Sequence, residues 1–154
     1  MKGRILAAVD GSEYALRALD VAADLAASLN GELIACHVVD LSRAAVLSGG
    51  EAQLVPGCLE ELQDESRRIL AQALARVGGR VAASARSVKG TPVEAIGRLA
   101  QETLPDFIVI GSHGRTGLAR ALVGSVAEGV VRAAPVPVVV VPRPHGAKDF
   151  LQSA

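Results

Sequence analysis

The sequence contains very few aromatic residues. Among 154 residues there is no tryptophan, one tyrosine and two phenylalanines, too few to build the platforms on which single-stranded nucleic acids stack their bases. An excess of charge of one sign is also absent, because 16 Lys and Arg balance 16 Asp and Glu. No basic surface is therefore expected to neutralise a phosphate backbone, and both absences argue against nucleic acid as the main partner.

Long hydrophobic runs and paired cysteines are missing as well. The most apolar run covers residues 136–142, whereas a helix that crosses a bilayer needs about 20 apolar residues. We therefore expect a cytoplasmic protein without membrane contact. The two cysteines, Cys36 in an apolar run and Cys58 in a loop-like stretch, lack the spacing of a disulfide scaffold or a C-x-x-C motif and are interpreted as ordinary thiols.

The sequence does contain a regular alternation of short apolar runs and amphipathic segments. The apolar runs are typical of strands buried on both faces of a sheet, and they predict strands at 4–9, 33–39, 107–110 and 138–141. A less regular alternation of apolar and polar residues predicts a further strand at 81–88. Apolar residues at helical spacing predict helices at 12–29, 59–77, 91–103 and 124–133. This alternation implies right-handed crossovers and a parallel sheet covered on both faces.

Local signals refine this prediction. The polar residues within 81–88 suit a strand at a sheet edge, and Thr91-Pro92-Val93-Glu94 is a capping box that begins a helix. Asn30-Gly31 should end the first helix, with Gly31 in the left-handed conformation. Residues 41–57 have no clean period and are interpreted as a long excursion with room for a helical turn. We expect one domain over residues 1–143 and a flexible tail over residues 144–154.

Glycines and an aspartate collect at the predicted carboxyl ends of the strands. Asp10 follows the first strand, and Gly111 and Gly114 follow the fourth. In open parallel sheets, ligands bind beyond the carboxyl ends, where the winding reverses. The pair Gly124-Ser125 begins a helix, and the unpaired N–H groups of a helix N-terminus favour an anion. The pattern predicts a site for a polyphosphate.

The spacing Gly111-x2-Gly114-x9-Gly124-Ser125 is the nucleotide-binding signature of the ATP-binding branch of the universal stress protein family, which this sequence strongly resembles. The likeness extends to residues 5–12, 37–40, 90–92, 106–117, 124–128 and 135–141. The resemblance implies an α/β, Rossmann-like fold: an open five-stranded parallel sheet of order 3-2-1-4-5 with helices on both faces. That order places the reversal of winding between the first and fourth strands.

The resemblance also implies ligand roles. The Asp10 carboxylate would lie near the ribose and a phosphate-bound Mg2+, and the Val38 main chain would read the adenine edge. Gly124, Ser125 and Val126 would supply N–H groups to the phosphates. One departure is that Ala127 stands where family members often have a hydroxyl. The cofactor-binding residues implied are Ala8, Val9, Asp10, Val38, Gly111, Ser112, His113, Gly114, Arg115, Gly124, Ser125 and Val126.

Several of these residues have simpler interpretations. Asp10 can cap the first helix, although Ser12 is also available for that role. His37 lies within an apolar run and suits a hydrogen-bonded core histidine, while His113 can contact solvent or a phosphate. Arg115 and Arg120 can clamp phosphates or remain solvated.

Three functions are compatible with these residues. The first is an ATP-binding regulatory protein with slow hydrolysis or none. The second is an enzyme of phosphoryl or adenylyl transfer, which calls for a lysine near the phosphates, whereas the lysines here are Lys2, Lys89 and Lys148. The third is a nucleotide-free relative that binds a partner. In the family, the strand matching residues 138–141 commonly forms a homodimer contact, so a homodimer is expected here.

Overall fold

Five strands form one parallel sheet in the order β3-β2-β1-β4-β5, which confirms the predicted topology. The structure, a computed structural model, describes residues 3–47, 56–115 and 123–143. The strands are β1 Arg4–Ala8, β2 Glu32–Asp40, β3 Ala82–Gly90, β4 Phe107–Gly111 and β5 Val138–Val141. The polar strand β3 lies at an edge, as its sequence predicted.

Helices cover both faces of this sheet. They are α1 Glu13–Ser28, α2 Leu41–Leu47, α3 Cys58–Val77, α4 Pro92–Thr103 and α5 Ser125–Ala133. One core cluster unites α1 and α3 with one face of the sheet, and a second unites α4 and α5 with the other face. No helix in the described ranges is both long enough and apolar enough to cross a membrane.

The structure differs from the prediction over residues 41–58, and two predicted segments lie outside the described residues. The segment interpreted as an excursion begins with a helix, α2, and Cys58 begins α3 rather than lying in a loop. Residues 48–55 of that segment lie outside the described residues, as does the predicted flexible tail at 144–154.

The core is aliphatic and finely divided. The buried face of α1 consists largely of alanines, and the side chains of Ala18, Ala22 and Ala26 are fully buried. Small side chains allow a helix to lie close to a sheet, and they leave little volume for rearrangement. This close packing fixes the end of β1 relative to the start of α1, where the predicted site lies.

The end of α1 differs from its prediction. Asn30, with φ of 50°, adopts the left-handed conformation that was expected of Gly31. Gly31 is required for a different reason: a Cβ atom there would lie 1.7 Å from the carbonyl oxygen of Gly3. The glycine therefore permits a close contact between two main-chain segments, and it does not relieve a positive φ.

The capping box at the start of α4 is also different in detail. Thr91 occupies the N-cap position and Pro92 begins the helix, as predicted. The Thr91 side chain accepts no capping hydrogen bond from the helix. Its hydroxyl instead donates to the Glu94 carboxylate at 2.8 Å, so the two side chains bond to each other rather than to the main chain.

An ion-pair network joins α1 to α3 and gives a first prediction. Asp20 accepts hydrogen bonds from Arg76 at 2.7 Å and from Arg80 at 3.0 Å. The bond from Arg76, with a smaller contribution from Arg80, lowers the pKa of Asp20 below its ordinary 3.8. The stabilisation is therefore fully present above that pH and is lost as the pH falls through the lower folded-state value.

We expect Asp20→Asn to lower the free energy of unfolding by about 1 kcal/mol at about pH 7, since partly exposed pairs contribute little more. At a pH below the lowered folded-state pKa of Asp20, the difference between variant and wild type should shrink, because the wild-type carboxyl is then protonated. Urea unfolding at both pH values measures this difference. Asp64→Asn, which removes an exposed pair with Arg67, is the control, and an Asp20 effect that is independent of pH would contradict the prediction.

Candidate functional site

A cavity of about 310 Å³ opens at the carboxyl end of the sheet, where β1 and β4 diverge. Every residue implied by the resemblance lines this cavity, although they come from segments far apart in the sequence. The lining residues from that set are Ala8, Val9, Asp10, Val38, Gly111, Ser112, His113, Gly114, Arg115, Gly124, Ser125 and Val126. Those not predicted are Ala15, Cys36, His37, Asp40, Arg43, Pro92, Ile96, Ile110 and Ala127.

Next to the cavity, β2 extends beyond the end of its neighbour β1. The pairing of β1 with β2 ends at Ala8 and Cys36, after which the Val9 N–H donates to the Cys36 carbonyl at 2.8 Å. The pairing of β2 with β3 continues to Asp40. Alternate residues of a strand direct their main-chain groups to the same side, so the Val38 main chain faces the gap beyond β1.

One wall of the cavity is apolar. Cys36, Ile96 and Ile110 are buried there, with Val38 packed against them, in the core cluster that unites the sheet with α4 and α5. Burial raises the pKa of the Cys36 thiol to about 12, so this side chain is neutral near pH 7. The wall offers a flat apolar surface beside the main chain of Val38, which suits a planar ring system.

Asp10 joins two loops at the mouth of the cavity. One carboxylate oxygen accepts the Ser12 N–H at 2.9 Å, and the other accepts the Arg115 N–H at 3.1 Å. The Ser12 hydroxyl caps α1 by accepting the Ala15 N–H at 3.2 Å, so the alternative in which Asp10 caps that helix is wrong. A Cβ atom at Gly114 would lie 2.7 Å from the Asp10 carboxylate, which explains the need for glycine there.

The N-terminus of α5 points into the same cavity. Gly124 is its N-cap and provides no side-chain hydrogen bond to the first turn. The Gly124 N–H donates to the Ser112 carbonyl at 2.6 Å, which corrects the expectation that this group is open to a phosphate. Ser125 and Val126 lie in the first turn, whose N–H groups have no partner within a helix. Together with the helix dipole they favour an anion.

Two buried histidines lie beside the cavity. His37 is hydrogen-bonded through Nδ1 to the Ser66 hydroxyl at 2.9 Å, and Ser66 in turn to the Ser87 hydroxyl at 2.8 Å. Burial, with a smaller effect of Arg115, lowers the pKa of His37. The interpretation of His37 as a hydrogen-bonded core residue is confirmed, but its position on the cavity wall was not predicted.

Of the two contacts predicted for His113, solvent is disfavoured, because the residue is only 7% exposed, while contact with a phosphate stays a prediction. Its Nδ1 is hydrogen-bonded to the Ser112 hydroxyl at 2.9 Å, and its ring lies 6.2 Å from that of Tyr14. These contacts hold the loop that follows β4 against α1.

Charged side chains surround the opening on the side of α3. Arg115 forms an ion pair with Glu65, and Arg43 lies 3.8 Å from the other Glu65 oxygen. The hydrogen bond from Arg115 lowers the pKa of Glu65. No sequence pattern singled out Glu65, which is one of several acidic residues on α3. Arg120, the other predicted clamp, lies outside the described residues.

The architecture and the cavity define a class of protein. It is a doubly wound α/β protein whose ligand crevice lies at the topological switch point, where such sheets bind nucleotides and other phosphorylated ligands. Within the described ranges, no group of three or more His, Cys, Asp and Glu residues is arranged to hold a metal ion.

Comparison with known proteins identifies the family. The model of the universal stress protein family matches residues 1–142, and the chain belongs to this family. Universal stress protein MJ0531 from Methanocaldococcus jannaschii is 33% identical over 142 residues, which cover 92% of this chain and 82% of the relative.

Two solved structures support the same assignment. The structure of protein MJ0577, from the same organism, has a TM-score of 0.79 at 30% identity and covers 95% of this chain and 99% of its own. A universal stress protein solved in complex with cAMP has a TM-score of 0.68 at 29% identity, covering 93% of this chain and 98% of its own.

Proposed function

We propose that this universal stress protein binds ATP, together with Mg2+, and acts as a nucleotide-dependent regulatory protein with slow hydrolysis or none. The main support is that the complete glycine series and Asp10 line one cavity beside the N-terminus of α5. The complex of a similar protein with cAMP adds support for an adenine nucleotide.

The chemistry of the cavity suggests which part of the nucleotide contacts which wall. The adenine would lie against the apolar wall around Cys36 and Ile96, with its edge toward the Val38 main chain. The phosphates would meet the first-turn N–H groups of Ser125 and Val126. The Asp10 carboxylate would lie near the Mg2+ and contribute to its binding only indirectly, because the metal is bound mainly by phosphate oxygens and water.

Calorimetric titration with Mg-ATP tests the proposal. We expect saturable binding with a dissociation constant in the micromolar range, which corresponds to about 8 kcal/mol. Analysis of nucleotides released from freshly purified, denatured protein would identify a ligand that copurifies. Absence of saturable binding at millimolar ATP would overturn the proposal, and rapid multiple turnover with a defined acceptor would favour the enzyme instead.

We further propose a homodimer formed through β5, which lies at an edge of the sheet. The Pro137 and Val141 carbonyls accept the N–H groups of Ile108 in β4 and of Ser112 directly after it, at 3.0 and 2.8 Å. Because main-chain directions alternate along a strand, Val138 and Val140 direct their N–H and C=O groups toward the open edge. This row of groups can continue the sheet into a second copy.

We expect Val140→Pro to convert a dimer into a monomer in sedimentation velocity without unfolding the protein. Proline is tolerated on an edge strand where its missing N–H faces away from the sheet. The matched variant Val139→Pro removes an N–H that faces β4 and should destabilise the fold. A natively folded Val140→Pro dimer would contradict an interface built on β5 pairing.

The proposal places the protein in the cytoplasm, because its proposed ligand is supplied there. Fractionation of cells that express the protein at its natural level would check this placement. Recovery in a membrane or extracellular fraction would contradict it.

A further inference from the structure

The side chain of Arg115 extends toward α3. The Arg115 N–H is held by the Asp10 carboxylate at 3.1 Å, which fixes where the side chain begins. Its guanidinium passes over Gly11, where Nη2 would lie 3.8 Å from a Cβ atom, and it ends on the Glu65 carboxylate. Arg115 is therefore paired with an acid that lies outside the predicted phosphate-binding elements.

Glu65 also faces a second cation. Arg43 of α2 lies 3.8 Å from Glu65 Oε2, while Arg115 contacts Oε1. Both arginines line the cavity. The Glu65 side chain is 24% exposed, so water screens this cluster less than it screens a fully exposed ion pair. One carboxylate thus engages two guanidinium groups beside the opening.

Carboxylates and phosphates compete for the same donors. Each forms charge-assisted hydrogen bonds with the planar N–H groups of arginine. A guanidinium that is bonded to Glu65 must give up or share those bonds in order to contact a phosphate. The negative charge of Glu65 also opposes the approach of an anion, and this opposition grows with the number of phosphates the ligand carries.

We propose that Glu65 is a specificity-determining residue that competes with the phosphate chain for Arg115, and so sets how strongly the site prefers a triphosphate to a monophosphate. This inference rests on the proposed nucleotide-binding function. Arg43 has a secondary part, because its distance to Glu65 is longer. Removing the Glu65 charge frees Arg115 to turn toward the distal phosphates of ATP, which AMP lacks.

Glu65→Gln tests the proposal, with affinities for ATP and AMP measured by calorimetry at one fixed salt concentration. We expect the variant to bind ATP about threefold to tenfold more tightly, in the range of one partly exposed ion pair or charged hydrogen bond. The affinity for AMP should change by less than about twofold. Glu61→Gln is the matched control, because Glu61 is exposed one turn earlier on α3 and has no ion pair among the described residues; it should leave both affinities unchanged.

Arg115→Gln distinguishes competition from a general effect of charge or folding. We expect it to weaken ATP binding, and Glu65→Gln should then tighten ATP binding by less than about twofold in the Arg115→Gln background, because only the direct repulsion and the more distant Arg43 remain. Thermal unfolding of each variant shows whether the fold is retained, since a merely structural role would change both affinities together.

The outcomes separate the two proposals. A wild-type protein that binds neither nucleotide would overturn the proposed function, and this inference with it. Binding by the wild type, with a ratio of ATP to AMP affinity that Glu65→Gln leaves within about twofold or shifts toward AMP, would overturn the role of Glu65 alone. An effect of Glu65→Gln on ATP affinity that is as large without Arg115 as with it would also overturn it.

Discussion

Gly124→Val is expected to abolish measurable ATP binding while the protein remains folded. A Cβ atom at Gly124 would lie 3.2 Å from the Ser112 carbonyl oxygen and 3.5 Å from the His113 Cα, and the two valine methyl groups would project from there across the N-terminus of α5. We expect an affinity at least about 100-fold lower, which corresponds to about 2.7 kcal/mol. Calorimetry with ATP measures the loss, and circular dichroism reports the fold.

The fold should survive because the main chain at this position suits any residue. Gly124 has φ of −72° and ψ of 158°, which is ordinary extended geometry. Gly97→Val is the matched control, since a Cβ atom at Gly97 of α4 has no neighbour within 4 Å. ATP binding by Gly124→Val at wild-type strength would show that the N-terminus of α5 is not the phosphate subsite.

Gly31→Ala should cause the largest loss of stability among the substitutions considered. Its Cβ atom would lie 1.7 Å from the Gly3 carbonyl oxygen, and that oxygen also accepts the Glu32 N–H at 2.8 Å. Relief of this overlap requires the segments before β1 and β2 to separate, which breaks the hydrogen bond at the start of both strands. We expect the free energy of unfolding to fall by about 3 kcal/mol or more, at the upper end of overpacking effects.

Chemical denaturation with urea measures this change. The same substitution at Gly97 should have the opposite sign, because alanine is favoured over glycine within a helix by up to about 1 kcal/mol. Equal midpoints for Gly31→Ala and the wild type would mean that the contact with Gly3 relaxes without cost.

Much of the fold was predictable because each element has its own local signal. Apolar runs identified four strands of the sheet, and a less regular alternation identified the polar β3, which was expected at an edge. The strand order came from the family resemblance, since nothing local in a strand specifies which neighbour it pairs with. The Asn30-Gly31 pair marked the correct place for the end of α1 but assigned the left-handed residue wrongly, because the contact of Gly31 with Gly3 is a tertiary one.

The candidate site was predictable where the main chain forms it and less so where side chains do. Glycine spacing identifies the loop and the start of α5 directly. Glu65 and Ser66 lie on a helix with many polar residues, and no spacing distinguishes a residue that faces the cavity region from one that faces solvent. Their partners, Arg115 and His37, are 50 and 29 positions away, so only the folded chain brings them together.

The two bonds of the Asp10 carboxylate have a consequence for motion. Through one short side chain they connect Ser12, two positions from Asp10, to Arg115, which is 105 positions from Asp10. Neither segment can move away from the cavity alone without breaking its hydrogen bond to Asp10. We therefore expect the turn after β1 and the loop after β4 to move together. Amide hydrogen exchange at these two positions should therefore slow or quicken in step when a ligand engages the carboxylate.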